Sequence, residues 1–381
     1  MTNFPQSLQK KLTKRRKEDT FRKLDPRLEM VDFSSNDYLG FAKDTILQNR
    51  LGERLDTISK IGATGSRLLT GDHKFYKELE AQLCRYHLAE SALVFNSGYD
   101  ANLGFFSSVP QRNHMIFYDE LCHASIRDGI RLSNARSVKF KHNDLSDLKD
   151  KLVQFQRDTQ NRNKDIYVAT ESVFSMDGDT PDLKSLSAFC SENNIYLIVD
   201  EAHAVGVFRN GLINRLGLEN EVFARIITFG KALGSHGAAI LGSKKLRSYL
   251  INFARSFIYT TALPPHSILT TLVAYDHLPG PLGEKAVNKL ENNISFFKSE
   301  VRKKNLHRFF LESESAVQIY RVGTIEETKK LSQLLCDEGF DVKSILAPTV
   351  PSGQERLRIC LHAFNTENEI EKVLEIIKKG S

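Results

Sequence analysis

Cysteine is sparse in this sequence, and its spacing argues against two common kinds of site. The five cysteines are far apart, odd in number and include no CxxC pair. This pattern lacks the paired spacing of a zinc cluster and the even count of a disulfide framework. We therefore predict a protein of a reducing compartment, with no disulfides and no bound metal.

Long apolar runs are also missing. No segment approaches the roughly 20 consecutive apolar residues that a membrane-spanning helix needs. The first residues, MTNFPQSLQKKLTKRRKED, lack the apolar stretch of a secretory signal. These absences predict a cytoplasmic protein without a membrane partner. The net charge of +6 favours anionic ligands in general, among them nucleic acids, phosphates and coenzyme A.

Two glycine-rich nucleotide motifs are absent as well. The segment DEAH (200–203) ends an apolar run, as in the magnesium-binding strand of nucleic-acid-dependent ATPases. Those ATPases also need GxxxxGK[ST]. Here Gly230 and Lys231 supply the GK pair, but Arg225 stands where the first glycine of the motif should be. Ala232 stands where a serine or threonine should follow the lysine. No GxGxxG follows a predicted strand, so the dinucleotide-binding fingerprint is missing too. A DEAH-type ATPase remains a remote alternative, and we predict no nucleic-acid partner.

The predicted elements alternate between short apolar strands and helices such as KFYKELEAQLCRYH. The predicted strands are 92–95, 115–118, 166–170, 195–200, 226–229 and 238–243. This alternation is typical of an α/β fold with a mostly parallel sheet that is covered on both faces.

The C-terminal part changes to a strand, helix, strand, strand, helix order, which predicts a smaller α+β domain. Its last helix begins with a capping box at Thr366 and Glu369. A basic helix is predicted over residues 6–24, with KRRK on a solvated face. We predict three regions, which are an N-terminal helix and arm at 1–40, a large α/β domain at 41–280 and a small α+β domain at 281–381.

Chemistry-bearing residues follow two of the predicted strands. Asp200 ends one strand, His203 comes three residues later, and Lys231 follows the next strand. Ligands of parallel sheets bind beyond the carboxyl ends of the strands. Pyridoxal phosphate needs a lysine for its Schiff base and a carboxylate at its pyridine nitrogen. The plain alternative for Asp200 is a helix N-cap.

Three further segments also follow strands. The helix that starts near Gly98 offers backbone N–H groups to a phosphate. His123 is placed to stack on a pyridine ring, and Ser175 is placed to contact a cofactor or to form a turn. Each segment alone has an ordinary structural explanation, so their order along the chain carries the argument.

In this order, SSNDYLG, TESVFSMDGD, VDEAHAVGV, TFGKALG and APTVP with RLR resemble the α-oxoamine synthases. These are fold type I pyridoxal-phosphate enzymes that condense an amino acid with an acyl-CoA thioester and release carbon dioxide. The resemblance runs from residue 34 to residue 361 and so covers nearly the whole chain. It implies the fold type I architecture, pyridoxal phosphate as cofactor, and a homodimer with a shared active site.

The resemblance also assigns roles to single residues. Lys231 would form the Schiff base and move the Cα proton, while His123 would stack on the ring. Asp200 would pair with the pyridine nitrogen and His203 with the phenolic oxygen. The further cofactor contacts would be Gly98, Tyr99, Ser175, Thr228 and, across the dimer interface, Thr260 or Thr261. The substrate contacts would be Arg358 with the amino-acid carboxylate, Arg22 with a terminal carboxylate of the acyl chain, and Asn36 and Thr349 near the substrate. Small residues around Lys231 would let the backbone turn closely at the cofactor.

Within this family, the short N-terminus, SSNDYLG, FSMDGD and the PTVP segment most resemble the branch that condenses L-alanine with a pimeloyl thioester of coenzyme A or of a carrier protein. Branches that use glycine or serine share the same core and remain alternatives, as does a relative that only binds the cofactor. Two features depart from the family pattern. Leu346 stands where some members have a basic residue, and GATGSRLLTG (62–71) is less rich in glycine than in some relatives.

Overall fold

The strands of this computed structural model form three sheets. The model describes residues 4–24, 29–161 and 164–380. The strands in these ranges are β1 (Val31–Asp32), β2 (Ser91–Phe95), β3 (Met115–Asp119), β4 (Arg136–Phe140), β5 (Ile166–Glu171), β6 (Tyr196–Asp200), β7 (Ala224–Thr228), β8 (Ala238–Gly242), β9 (Val317–Arg321), β10 (Phe340–Asp341), β11 (Lys343–Ile345) and β12 (Arg356–Cys360).

The helices connect these strands and cover the sheets. In the same ranges they are α1 (Gln6–Lys17), α2 (Thr45–Leu55), α3 (Lys74–His87), α4 (Gly98–Ser108), α5 (Ala124–Leu132), α6 (Leu145–Gln156), α7 (Leu183–Glu192), α8 (Leu212–Leu216), α9 (Lys244–Phe253), α10 (Arg255–Ile258), α11 (Pro265–His277), α12 (Pro281–Lys303), α13 (Ile325–Asp337) and α14 (Glu367–Gly380). None of them combines the length and the apolar character of a membrane span.

The largest sheet has seven strands in the order β2-β8-β7-β6-β5-β3-β4. β8 runs antiparallel to both of its neighbours, and the other neighbouring strands are parallel. Successive residues of a strand point to opposite faces. Accordingly, Ile198 packs in the core that contains α4 and α5, while Leu197 and Val199 pack in the core that contains α6 and α7. The predicted α/β class, with a mostly parallel sheet covered on both faces, is confirmed.

Local predictions agree with the structure where the apolar pattern is strong. α3 has the predicted bounds, and the predicted strands of the large sheet lie within two residues of their observed ends. The basic helix, predicted over 6–24, ends earlier at Lys17 because the chain turns at Asp19, which has a positive φ of 52°. All five cysteines are free thiols.

A three-stranded antiparallel sheet, in the order β11-β12-β9, forms the C-terminal part together with α13 and α14. The predicted capping box of α14 is present. The Thr366 N–H donates to Glu369 Oε2 at 2.8 Å, and the Glu369 N–H donates to Thr366 Oγ1 at 3.3 Å. The domain boundaries at residues 40 and 280 stay predictions, and the second falls between α11 and α12.

The small residues that follow Lys231 serve a tight packing contact. Gly234 has a φ of +59°, and a Cβ atom at this position would collide with the backbone nitrogen of Ala42. A side chain would therefore be both strained and obstructed here. The glycine lets this turn pack against the segment that follows the N-terminal arm, a contact that the sequence did not predict.

Candidate functional site

The carboxyl ends of three neighbouring parallel strands bring the predicted catalytic residues to one edge of the large sheet. Glu171 at the end of β5 pairs in register with Asp200 at the end of β6, and Asp200 pairs with Ile226 of β7. Lys231 follows β7 after a short turn. This edge is where α/β sheets of this kind bind ligands.

Lys231 has an amine that is poised to react. Its side chain is partly buried and, within the described ranges, makes no hydrogen bond or ion pair. Burial lowers the pKa of this amine to about 8, although the nearby carboxyls of Asp200 and Glu171 raise it. An amine with such a pKa is partly unprotonated near neutral pH, so it can act as a nucleophile and as a base.

Asp200 is buried and held by two donors. Asn102 Nδ2 donates to Asp200 Oδ2 at 2.7 Å, and the Ala202 N–H donates to Oδ1 at 2.9 Å. Asn102 Nδ2 also donates to Ser125 Oγ at 3.1 Å, and this oxygen lies 2.7 Å from His123 Nδ1. One chain of hydrogen bonds therefore joins His123 to Asp200.

Sequence reasoning missed Asn102 and Ser125, although both lie in segments that it singled out. Asn102 is inside α4 and Ser125 is in the first turn of α5, so each is a polar residue on an otherwise ordinary helix. Their burial is the informative signal, because a buried polar group needs a partner. Burial depends on tertiary packing and is not written in the local sequence.

His123 presents its ring to the site. The side chain is exposed, while its backbone N–H donates to Glu171 Oε1 at 2.5 Å. Desolvation of the ring by the protein around it lowers the imidazole pKa, although the nearby Asp200 raises it, so a neutral ring is available for stacking. Its position, on an edge that also holds Asp200 and Lys231, suits a flat ligand between them.

Glu171 is a buried carboxyl that the sequence analysis did not single out. Burial, together with the neighbouring Asp200, raises its pKa to about 8. The carboxyl is therefore largely protonated at neutral pH. Its place at the end of a predicted strand, level with Asp200, was the available signal.

A second buried network surrounds His203. Its Nδ1 lies 2.7 Å from the hydroxyl of Tyr38, which in turn lies 3.1 Å from Asn36 Oδ1. Burial, and then the positive charges of Lys231 and Arg358, hold the pKa of His203 well below its usual value. The imidazole is therefore neutral, and within the described residues its Nε2 atom makes no hydrogen bond. Tyr38 was another residue without a predicted role.

Arg358 is fixed in orientation by contacts on several of its nitrogens. Its Nε donates to the Ser175 carbonyl at 2.8 Å, and its Nη2 donates to Asn36 Oδ1 at 2.9 Å. A buried, planar guanidinium of this kind suits a carboxylate ligand. Arg356, the other arginine of RLR, pairs instead with Asp177 at 2.6 Å. The structure thus brings together Arg358, Asn36 and Ser175, whose predicted contacts with substrate and cofactor stay predictions.

The N-terminus of α4 offers free donors beside Thr228. Ser97 caps the helix by accepting the Asp100 N–H at 3.1 Å, while the N–H groups of Gly98 and Tyr99 donate to no described residue. A Cβ atom on Gly98 would lie 3.8 Å from Thr228 Oγ1. The start of α4 and the Thr228 hydroxyl therefore lie next to each other. Helix N-termini of this kind bind phosphate.

The side chain of Tyr99 is engaged by a neighbouring residue, which leaves its backbone N–H as the group for a cofactor contact. Its hydroxyl donates to Asp128 Oδ2 at 2.6 Å, and its ring is exposed. The backbone N–H of Tyr99 is therefore the group that is placed for a phosphate contact.

Thr260 and Thr261 lie beside the β2–α4 connection of the same chain. Asn96 Nδ2 donates to Thr260 Oγ1 at 3.0 Å and to the Thr261 carbonyl at 2.6 Å. The predicted contact of one of these threonines with a partner's cofactor stays a prediction.

Arg22 and Thr349 contact each other. Arg22 Nη2 donates to Thr349 Oγ1 at 3.1 Å across 327 residues of sequence, and both side chains are exposed. The Thr349 N–H donates to the carbonyl of Leu346 at 2.9 Å. The arginine and the segment with the unusual Leu346 are therefore neighbours.

The residues present fit pyridoxal phosphate. The helix N-terminus with unused N–H groups suits its phosphate, the buried Asp200 suits its pyridine nitrogen, and the unpartnered Nε2 of His203 suits its phenolic oxygen. Lys231 supplies the amine. The fold and this set of groups define a fold type I pyridoxal-phosphate-dependent enzyme.

Comparisons with known proteins agree. The family model "Aminotransferase class I and II" matches residues 29–377. The 8-amino-7-oxononanoate synthase of Emericella nidulans is 39% identical, over 91% of this chain and 88% of its own length. That of Geotalea daltonii is 36% identical, over 92% and 88%. The chain belongs to the aminotransferase class I and II family and, within it, to the 8-amino-7-oxononanoate synthases.

Solved structures give the same fold. A serine palmitoyltransferase from S. paucimobilis, solved with bound PLP and myriocin, superposes with a TM-score of 0.87 at 25% identity, covering 98% of this chain and 96% of that chain. The 8-amino-7-oxononanoate synthase of Francisella tularensis superposes with a TM-score of 0.75 at 29% identity, covering 92% and 97%.

The remote ATPase alternative is wrong. Glu201, the second acid of DEAH, is fully buried and pairs with Arg225 Nη2 at 2.6 Å. It also accepts the Ile213 N–H at 3.0 Å. This carboxylate therefore stabilises the fold and is not free to bind a metal.

Proposed function

We propose that this chain condenses L-alanine with a pimeloyl thioester of coenzyme A or of a carrier protein. The products are 8-amino-7-oxononanoate, carbon dioxide and the free thiol, in biotin biosynthesis. The observation that carries the proposal is the fixed pair of Arg358 and Asn36 in the same network as His203, close to Lys231. This pair supplies a carboxylate site beside the amine, and the 8-amino-7-oxononanoate synthase relatives supply the substrate class.

Binding orients the amino acid. Asn36 Oδ1 accepts from Arg358 Nη2 at 2.9 Å and so orients the guanidinium, which presents N–H groups to the α-carboxylate. Holding the carboxylate there leaves the amino group and Cα toward the Lys231 amine. Such fixed orientation lowers the entropy cost of the reaction.

Lys231 performs the proton transfers. Its lowered pKa of about 8 lets the released amine accept the Cα proton and return a proton to the product. When bound, the cofactor supplies an electron sink for the negative charge at Cα and for the loss of carbon dioxide. Asp200 would hold the proton on the pyridine nitrogen of the bound cofactor, and Asn102 fixes the Asp200 carboxylate at 2.7 Å.

The pimeloyl thioester, which is the second substrate, contacts Arg22 in this proposal. Its guanidinium lies beside Thr349 and is exposed, so it is open to the terminal carboxylate of a pimeloyl chain. A charged hydrogen bond of this kind discriminates between acyl chains that end in a carboxylate and chains that end in a methyl group.

Arg22→Ala is expected to lower kcat/KM for a pimeloyl thioester by about 10- to 100-fold, because one charged hydrogen bond is lost. For a heptanoyl thioester, which has the same length and no terminal carboxylate, we expect a change below about threefold. Lys17→Ala, at an exposed site of α1, is the matched control for lost positive charge. Equal losses for the two thioesters would remove Arg22 from this role.

A homodimer is part of the proposal. Large apolar side chains are exposed on the loop at 61–69 and at Tyr259, and the Ala262 N–H ties these segments together through the Gly65 carbonyl at 3.0 Å. Exposed apolar patches of this kind are typical of protein interfaces. Thr260 and Thr261 lie in the same patch, which supports a shared active site.

The test of the function is the amino-acid preference of the protein saturated with pyridoxal phosphate. We expect L-alanine to change the cofactor absorbance at lower concentration than glycine or L-serine, and to support thiol release from pimeloyl-CoA. Serine is the important competitor, because a serine palmitoyltransferase structure superposes with a TM-score of 0.87. A preference for serine or glycine would keep the family and refute the alanine assignment.

A further inference from the structure

Tyr38 stands at the centre of a buried network that joins the two halves of the site. The side chain has 0% of its surface exposed, and its hydroxyl lies 2.7 Å from His203 Nδ1 and 3.1 Å from Asn36 Oδ1. Arg358 Nη2 donates to the same Asn36 oxygen at 2.9 Å and lies 3.5 Å from the Tyr38 oxygen. A single hydroxyl therefore contacts the histidine on the cofactor side and the pair on the carboxylate side.

The protons of this network can be arranged in two ways. His203 is neutral and carries one N–H, Tyr38 carries one O–H, and Arg358 can only donate. In the first arrangement Tyr38 donates to His203 Nδ1, and the ring proton is on Nε2. In the second arrangement Tyr38 donates to Asn36 Oδ1, His203 Nδ1–H donates to the Tyr38 oxygen, and Nε2 is an acceptor. Both arrangements hold the same number of protons.

We propose that Tyr38 couples occupancy of the carboxylate site at Arg358 to the hydrogen bond that His203 Nε2 makes with the phenolic oxygen of the cofactor. Tyr38 is then a positioning residue, because it acts through His203 and Asn36. The inference rests on the proposed function only in that Arg358 binds a carboxylate and His203 faces the cofactor.

The direction of the coupling follows from competition for donors. A carboxylate at Arg358 draws the Nη2 donor away from Asn36 Oδ1, which then accepts more strongly from Tyr38. This favours the second arrangement, so His203 Nε2 no longer donates to the phenolic oxygen. Loss of that donor destabilises the deprotonated form of the cofactor joined to Lys231, and the pKa of its absorbance change rises.

Other titratable groups face this network from several elements. They are Lys231 after β7, His123 before α5, Arg358 and Cys360 on β12, and His362 after β12. Burial raises the pKa of the Cys360 thiol, which keeps it neutral. These groups are the same with and without a carboxylate ligand. Comparing the cofactor pKa of one protein in the two states therefore removes their contribution.

The test uses propionate, which is alanine without the amino group and cannot displace Lys231. In the wild-type holoenzyme, saturating propionate is expected to raise the pKa of the cofactor absorbance change by about one unit. In Tyr38→Phe the shift is expected to fall to less than about half of that value. The added negative charge of propionate acts directly on the cofactor in both proteins. The difference between their two pKa shifts therefore measures the contribution of the Tyr38 hydroxyl.

Tyr275→Phe is the matched control. Tyr275 is also fully buried, and its hydroxyl lies 2.9 Å from His87 Nε2, in a tyrosine–histidine pair outside the site. This variant loses the same atom from the same kind of contact and is expected to keep the full propionate shift. An undiminished shift in Tyr38→Phe, or no shift in the wild type, would overturn the coupling.

A measurement on the wild-type protein covers the case in which Tyr38→Phe does not fold. Nitrogen-15 spectra of histidine-labelled holoenzyme report which ring nitrogen of His203 carries the proton. Propionate is expected to move this signal toward the Nδ1–H form, and an unchanged signal would refute the proposal. Neither readout needs turnover, so both stay informative if the enzyme turns out to prefer glycine or serine over alanine.

Discussion

Lys231→Ala is expected to leave a folded protein that lacks steady turnover, with kcat lowered by at least about 10³-fold. In the proposed function, the lysine supplies both the covalent link to the cofactor and the base. Because its amine makes no hydrogen bond or ion pair within the described ranges, the fold does not depend on it. Removing a partly buried amine is expected to leave the melting temperature unchanged or higher.

The measurement combines kinetics with chemical trapping. Borohydride reduction followed by peptide mapping is expected to fix the cofactor on Lys231 in the wild type and nowhere in the variant. Lys245→Ala, at an exposed position of α9, is the control and is expected to behave as wild type. Turnover of Lys231→Ala close to the wild-type value would show that this assignment is wrong.

Asp200→Asn is expected to lower kcat by about 10²- to 10³-fold, because the carboxylate that we propose to keep the pyridine nitrogen protonated is lost. The variant is expected to fold. Asn102 Nδ2 donates to Asp200, and Asn102 Oδ1 has no partner, so rotation of this amide can satisfy an asparagine at 200. Steady-state kinetics and far-ultraviolet circular dichroism measure the two expectations.

Glu171→Gln is the matched comparison for Asp200→Asn. The two carboxyls are buried side by side, yet burial raises the pKa of Glu171 to about 8, so it is already largely neutral at pH 7. We expect a change in kcat below about threefold at pH 7, which widens above pH 8, where the wild-type carboxyl ionises. A loss in Asp200→Asn no larger than in Glu171→Gln would contradict the assigned role of Asp200.

The strand ends were predictable because the sequence marks them locally. Short apolar runs place Asp200 and Lys231 at the carboxyl ends of neighbouring strands, and the structure confirms that edge. The antiparallel direction of β8 was not predictable, since its apolar run is the same in either direction. β4, whose residues are mostly exposed, lacks the apolar run that marks a strand.

The hydrogen-bond partners could not be predicted in the same way. Tyr38 meets His203 across 165 residues, and Asn102 meets Asp200 across 98 residues. Such contacts depend on sheet order and helix packing, which no local pattern encodes. The different surroundings of Arg356 and Arg358 also follow from the fold, because the two side chains share one strand and face different partners.

Pairing of β1 with β10 has a consequence for the order in which the site assembles. β1, which lies within the N-terminal arm, pairs with residues 340–341, and Asn36 meets Arg358 across 322 residues. A chain that emerges N-terminus first has synthesised His123, Asp200 and Lys231 before β10 and β12 exist. The residues that would hold the cofactor are therefore synthesised well before Arg358, which completes the proposed carboxylate site.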